Sequence, residues 1–440
     1  MRILVTVLCL EKAGSHVMAL SLASAMAERG HQMFVFNQGE QLVDKGMVAQ
    51  YLLANVPVIS MDNYPWFNAI CWRLNGLLSR LGMKASFHEY CKTILLRFVL
   101  WRRRIELVHG HEILVEKSRL TVLGRGRTPV VITDHGGYSM LIKMGDWSFT
   151  TYANLGRAVV AVSEYSRSLL QQGPEMGNPG SQALKDVGAK IIAADFQAEA
   201  LNLRNRSDST ITVPLTVPVH TIYNGVQARQ KNSQTPAAVR QRLNIPPDAL
   251  VFGMIGRGTY QKGWEYALKA YLALKRKLPD ESLVFICMGA GPVLSELQMQ
   301  LSGVHPDIHF LGEVDDPHVW MPACDVGVMA SCFSEGLPLS VIEFYEHGIP
   351  VIASALGGIP EIIVPEQGIP GGLLVAMKPD ATPDAANLFE HMLNYVVNPS
   401  LRMQHGLAAL DISKKFGIAA CASKYEILFK NIVASKATIV

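Results

Sequence analysis

Short apolar runs recur along this chain, each closed by a turn signal and most followed by a segment with apolar residues at helical spacing; no other feature limits the fold as tightly. The opening ILVTVLCL reads as a buried parallel strand. After a turn containing Gly14, HVMALSLASAMAERGH carries apolar residues at helical spacing and ends at Gly30, and MFVFN gives a second strand. Further strand-like runs follow at 106–111 (ELVHGH), 129–135 (PVVITDH) and 158–163 (AVVAVS). Strands alternating with helices predict βαβ units in a parallel sheet.

The pattern then breaks. From 228 to 248 the chain is polar and proline-bearing, as a crossing between domains should be. A second series follows, LVFGMIG, SLVFICMG, IHFLG, VGVMAS and PVIAS. At 440 residues the chain is too long for one ordinary core and suits two α/β domains of about 200 residues each. Open parallel sheets bind ligands beyond the carboxyl ends of their strands, so two such domains predict a cleft with the chemistry inside it.

Composition removes several classes. With 49% hydrophobic and 18% charged residues the chain is globular, neither collagen-like nor disordered. A net charge of +3 demands no anionic partner, and no nucleic acid is expected. The seven cysteines are odd in number and irregularly spaced, without a C-x-x-C pair, which argues against a disulfide framework or zinc site and fits a reducing cytoplasm. Glu11 and Lys12 interrupt the first apolar run before a signal-cleavage pattern, and no uncharged apolar run reaches 18 residues, so no spanning helix is expected.

The segment 331–343, SCFSEGLPLSVIE, is the richest in chemistry. It places Glu335 and Gly336 in a turn and Pro338 where a helix can start. The free N–H groups and positive end of that helix make an anion site. Glu343 lies eight residues beyond Glu335, roughly 12 Å of rise if the interval is helical. That separation counts against a retaining hydrolase, whose carboxyl pair flanks one bond at about 5 Å, and suits two contacts on one long ligand.

A second cluster, 256–263 (GRGTYQKG), ends another strand-like run and offers Arg257 and Lys262. Alone they are ordinary surface charges; in the same cleft as the glutamates they suit a diphosphate, whose growing charge fixed cations stabilise. They would stand in place of a metal. The phosphate loop of nucleotide triphosphatases is absent.

The chain resembles the retaining glycosyltransferases of family 4. The resemblance rests on GRGTYQKG, MGAGP (288–292), FLGEV, the spacing of Glu335 and Glu343, and GGIPEII in the second domain. In the first it rests on the Gly14 turn, TDHGG (133–137), VAVSEYSRSLL and IYNGV (222–226). It implies the GT-B fold, two Rossmann-like doubly wound domains facing across a cleft. The expected boundaries are 1–228 for the acceptor-side domain, completed by a helix over 416–440, and 229–415 for the donor domain. The resemblance also implies that Gly14, Gly256, Arg257, Lys262 and Gly289 lie at the donor, the two cations on its diphosphate. Glu343 would hold the ribose, and Glu335 with Gly336, Leu337, Pro338 and Leu339 the sugar and phosphate. His135 would stand beside the reacting centre, with the departing phosphate taking the acceptor proton. His109 and His111 are set aside as strand histidines without a catalytic role. Ala13 stands where the family often has a second glycine, and 173–220 is longer than usual and polar, as a surface excursion would be.

Between 64 and 104 aromatic and basic residues mix, including Trp66, Trp72, Trp101 and the run Arg102–Arg104, with Lys84 between them. This composition suits peripheral attachment to an anionic membrane surface on the cytoplasmic side. The expected function is transfer of a sugar from a UDP- or GDP-sugar to a glycan or lipid-linked glycan, without a cofactor or metal. The alternatives are a nucleotide-sugar 2-epimerase of the same fold and an inactive binding subunit.

Overall fold

The computed structural model describes residues 1–39, 43–82, 87–111, 123, 126–143, 147, 149–176, 214–227 and 235–437. The polar excursion expected over 173–220 lies largely outside the described residues, as does Lys84.

Two parallel sheets carry the chain. The first runs β1 (Arg2–Val7), β2 (Gln32–Asn37), β3 (Val58–Ile59), β4 (Leu107–Gly110), β5 (Val130–Asp134), β6 (Ala158–Ala161) and β7 (Val219–Thr221). Their spatial order is β3-β2-β1-β4-β5-β6-β7, with every described pairing parallel. The second contains β8 (Leu250–Ile255), β9 (Leu283–Met288), β10 (Ile308–Phe310), β11 (Val326–Met329), β12 (Val351–Ser354) and β13 (Gly372–Val375). Its order is β10-β9-β8-β11-β12-β13, again parallel. Helices cover both faces, which is why the inner strands are continuous apolar runs rather than alternating ones. Both sheets are doubly wound, and the order reverses between β1 and β4 in one and between β8 and β11 in the other.

The helix Gly14–Glu28 buries Met18 through Met26 without interruption, because it lies between the first sheet and the long C-terminal helix Ile418–Ala437. The chain returns to the first lobe through a backbone clasp: Val226 N–H donates to Phe416 O at 2.8 Å, and Ile418 N–H to Val226 O at 2.8 Å. Arg29 and Glu426 then pair at 2.6 Å across the two helices. The second lobe takes over by Thr235, whose hydroxyl caps the helix Pro236–Arg242. Arg240 on that helix is tied to Ala323 O and Asp325, next to β11.

The described residues of 64–104 include two helices, Pro65–Arg80 and Phe87–Arg102, which pack on each other. Cys71, Cys91, Leu95, Leu96 and Val99 face the core, while Trp66, Trp72, Phe98 and Trp101 remain exposed.

Candidate functional site

The loops that follow β1, β8 and β11 start beside a point where strand order reverses, and there neighbouring loops part to opposite faces of the sheet. Between the lobes these loops and the turn after β5 line a cleft of about 770 Å³. Every residue assigned to the site from the sequence lines it: Gly14 and His135 from the first lobe, and Gly256, Arg257, Lys262, Gly289, Glu335–Leu339 and Glu343 from the second.

On the second-lobe wall, Lys262 Nζ lies 2.6 Å from Glu335 Oε1, and Ser331 Oγ donates to the same oxygen at 2.7 Å. Both side chains of the ion pair are largely buried. Gln261 Nε2 donates to Ser334 O at 2.8 Å, binding the lysine loop to the glutamate loop. Arg257 is exposed at the mouth, and its own carbonyl accepts from Trp264 Nε1, which anchors the loop in the core of the second lobe.

The helix Leu339–Glu346 begins one residue later than a proline in its first turn would require: Pro338 is the N-cap, with φ −71° and ψ 124°. No side chain caps this end, so its first N–H groups are open to a ligand. Glu335 therefore stands in the non-helical turn before it, and the helical rise estimated between Glu335 and Glu343 applies only from Leu339 onward. Glu343 lies within the helix and is partly buried at the cleft wall.

On the first-lobe wall, Asp134 Oδ1 accepts from Gly136 N (2.9 Å) and Tyr138 N (3.0 Å), capping the helix Gly137–Lys143 and fixing the turn that carries His135. Gly136 adopts φ +102°, and a Cβ there would lie 2.7 Å from Gly336 N. A Cβ on Gly336 would lie 2.5 Å from His135 O. Here the two lobes touch backbone to backbone, and only glycine fits. Gly14 differs: its nearest neighbour would be the Leu339 side chain at 3.8 Å, an ordinary contact.

Further bonds hold the lobes together around this point. Lys143 Nζ donates to Phe333 O at 2.6 Å, and Asn224 Nδ2 to Leu337 O at 2.9 Å. Lys12 Nζ reaches from the first lobe to Asp315 (2.8 Å) and Glu313 (3.2 Å) of the second. Burial pushes the Lys143 ammonium down to about 8. Burial, helped by the charge of His16, pushes His135 down to about 3, so its imidazole is neutral at physiological pH.

Two family models match the chain in order, one described as Glycosyltransferase Family 4 over residues 13–175 and one as Glycosyl transferases group 1 over residues 249–395. The chain belongs to glycosyltransferase family 4. It is 29% identical to the D-inositol 3-phosphate glycosyltransferase of Corynebacterium glutamicum (strain R), over 47% of this chain and 49% of the relative. It is 28% identical to the lipopolysaccharide core biosynthesis mannosyltransferase LpsB of Rhizobium meliloti, over 51% and 64%. The matched region thus spans about half to two thirds of these relatives' length. Anabaena HepE, solved with UDP and glucose, superposes with a TM-score of 0.65 at 18% identity, covering 98% of this chain and all of that one. The fold is GT-B.

Several residues of this family 4 chain that shape the cleft escaped the reading of the sequence. Asp134 left a signal, an Asp two residues before a Gly-Gly pair, which is an N-cap pattern. Lys12 left none, because Glu313 and Asp315 lie about 300 residues away in the other lobe, and Ser331, though inside the segment 331–343, sits in an irregular turn with no periodicity to aim it at Glu335. His109 and His111, set aside above, stand beside His135: His111 Nδ1 is 2.8 Å from His135 Nε2. The period-two spacings put His109 with His111, and Thr133 with His135, on one face of their own strands, which was visible in the sequence; that the two pairs share a face follows from the β4–β5 register.

Proposed function

We propose that this chain transfers a sugar from a UDP- or GDP-linked donor to a glycan or lipid-linked glycan, with retention and without a metal ion. The observation that carries the reading is the meeting, in one interlobe cleft, of a paired lysine and glutamate with an uncapped helix N-terminus. A departing nucleoside diphosphate gathers negative charge, and Lys262, Arg257 and the residues at the start of the helix Leu339–Glu346 line the cleft where that charge would form. That charge stabilisation is what a metal would otherwise provide. Among the described residues, no group of three His, Cys, Asp or Glu side chains is arranged to hold an ion. Glu343 accepts the ribose hydroxyls.

Retention without a covalent intermediate is favoured by the state of Glu335. Its Oε1 accepts from both Lys262 and Ser331, which lowers its strength as a nucleophile. The diphosphate oxygen takes the acceptor's proton as the new bond forms, and Glu335 and His135 hold the sugar. A neutral imidazole serves this role as a hydrogen-bonding group rather than as an acid.

The acceptor side is read from the helices Pro65–Arg80 and Phe87–Arg102. Trp66, Trp72 and Trp101 are 69, 54 and 74% exposed, beside exposed Arg73, Arg80, Arg97 and Arg102–Arg104. Residues 64–104 hold a single acid, Glu89, which pairs with Lys92. Indole rings with a surplus of guanidinium groups fit an anionic bilayer surface, which would bring a lipid-linked acceptor to the cleft. No helix among the described residues is long and apolar enough to cross a membrane.

The test is a panel of UDP-, GDP- and ADP-sugars incubated with the protein, with and without membrane extract and EDTA, following free nucleoside diphosphate and sugar isomers together. Diphosphate release stimulated by extract, insensitive to EDTA and lost in Lys262→Ala supports the reading. Donor isomerised without release would replace it with an epimerase, and silence across the panel would favour a binding subunit.

A further inference from the structure

Four side chains from β4, β5 and the residues just after them stand on one face of the first sheet, since β4 and β5 are parallel neighbours with His109 opposite Val131. The C-terminal helix covers that face, with Tyr425 and Phe429 against the His109 ring at 5.0 and 5.1 Å between centroids. The result is a continuous chain of hydrogen bonds. Tyr425 OH lies 2.9 Å from Thr133 Oγ1, and Thr133 Oγ1 lies 2.8 Å from His109 Nε2. His109 Nδ1 lies 3.2 Å from His111 Nε2, and His111 Nδ1 lies 2.8 Å from His135 Nε2. Tyr425, Thr133, His109 and His111 are all buried, and His135 opens onto the cleft.

Such a chain has only two proton arrangements when its rings are neutral, and burial keeps them so, holding His109 and His135 near 3 and His111 well below its ordinary value. In one, protons point away from the cleft and His109 Nε2–H donates to Thr133. Two hydroxyl hydrogens, those of Thr133 and Tyr425, then share one remaining partnership, and one is left buried without an acceptor. In the other, Tyr425 donates to Thr133, Thr133 to His109 Nε2, His109 Nδ1–H to His111 Nε2, and His111 Nδ1–H to His135 Nε2. Every buried hydrogen then has an acceptor. An unsatisfied buried hydroxyl is costly, so the second arrangement prevails.

We infer that Thr133, His109 and His111, sealed by Tyr425 of the C-terminal helix, are positioning residues that hold His135 as its Nδ1–H tautomer, so that it offers the cleft a hydrogen-bond donor. An N–H donor suits a hydroxyl or ring oxygen of a bound sugar, whereas the opposite tautomer would present a bare lone pair. The functional consequence rests on the transferase reading proposed above; the tautomer itself does not. His135 is thereby set by a helix that comes from the far end of the sequence.

The test reads the ring nitrogens directly. Two-bond proton–nitrogen correlation spectra of the free, histidine-labelled protein, assigned with His135→Gln, should show His135 protonated at Nδ1. Thr133→Val removes the hydroxyl that sets the direction, and His135 should then populate both tautomers; Thr133→Ser should restore the wild-type pattern. Because Thr133→Val strands the Tyr425 hydroxyl, Thr133→Val/Tyr425→Phe is included to keep the fold without a stranded hydroxyl, and it too should show the mixed pattern. Where a donor is turned over, kcat should fall several-fold in both valine variants with KM for the donor unchanged. His135 protonated at Nε2 in the wild type, or a pattern untouched by Thr133→Val, would overturn the inference. Since the spectra need no turnover, a failed transfer assay leaves this result legible by itself.

Discussion

Lys262 and Glu335, 73 positions apart in sequence, meet at 2.6 Å in the cleft, and the same carboxylate oxygen also accepts from Ser331. Each charge is therefore satisfied before any ligand arrives. Under the proposed function, a donor diphosphate would compete with Glu335 for the lysine and binding would reorganise a pair that is already formed. Lys262→Met should lower turnover roughly 10²- to 10³-fold, as removal of a group that stabilises transition-state charge does. It should also cost about 1–3 kcal/mol of stability, because a largely buried carboxylate loses its cation. Lys262→Met/Glu335→Gln should recover stability in urea titrations without recovering activity. Equal stability of the two variants would remove the pair from this account.

The backbone contact between the lobes yields a second expectation. Gly136→Ala puts a methyl 2.7 Å from Gly336 N at a backbone φ of +102°, so the lobes must separate or the turn must change. Turnover should fall at least ~10-fold, with a larger radius of gyration by small-angle X-ray scattering. Gly14→Ala meets nothing closer than 3.8 Å, and the free protein should keep its melting temperature. If the new methyl crowds a bound phosphate, that variant will show only a raised KM for the donor. An unchanged scattering profile and full activity in Gly136→Ala would rule out the close approach as a working contact.

The sheets and the second-lobe motifs were legible in the sequence because both are local signals. A strand buried on two faces is a continuous apolar run, as in VVITD and LVFICM, and the turn-proline-helix sequence around Glu335 is contiguous. What joins distant parts of the chain left no such trace. Lys12 finds Asp315, and Tyr425 finds Thr133, only after both lobes are built and the last helix has returned. His109 and His111 looked like ordinary strand histidines for the same reason: their significance depends on a register between β4 and β5 and on the helix laid over it. The mixed segment 64–104 was ambiguous because its two helices divide their apolar residues between the core and the surface.

His109 and His135 also give the fold a dependence on pH. Burial depresses His109 and His135 to about 3, against about 6.5 in the unfolded chain. Between those values the unfolded state binds more protons than the native one. Stability therefore rises with pH through that window and falls as pH drops from about 6.5 towards 3, by at most about 1.4 kcal/mol per pH unit for each histidine. Above 6.5 these groups add no slope. Urea midpoints at pH 7.5, 5.5 and 4.5 should show a shallower loss in His109→Gln than in the wild type. Parallel curves would mean that the histidines are protonated or exposed in the native protein.

The exposed indoles give the last expectation. Burying a tryptophan against its own protein would make its replacement destabilising, but Trp66 and Trp101 are 69 and 74% exposed. Trp66→Ser and Trp101→Ser combined with Arg102–Arg104→Gln, leaving Trp72 on its His88 partner, should leave the melting temperature within a few degrees. Flotation with phosphatidylglycerol vesicles at low salt should lose the protein in this variant and retain the wild type. Binding of the wild type should weaken as salt rises, since each arginine near the surface contributes about 1 kcal/mol that falls away within a Debye length. Turnover of a short water-soluble acceptor should be unchanged while that of a lipid-linked one drops. Vesicle binding equal in the two proteins would move the contact to another face of the first lobe.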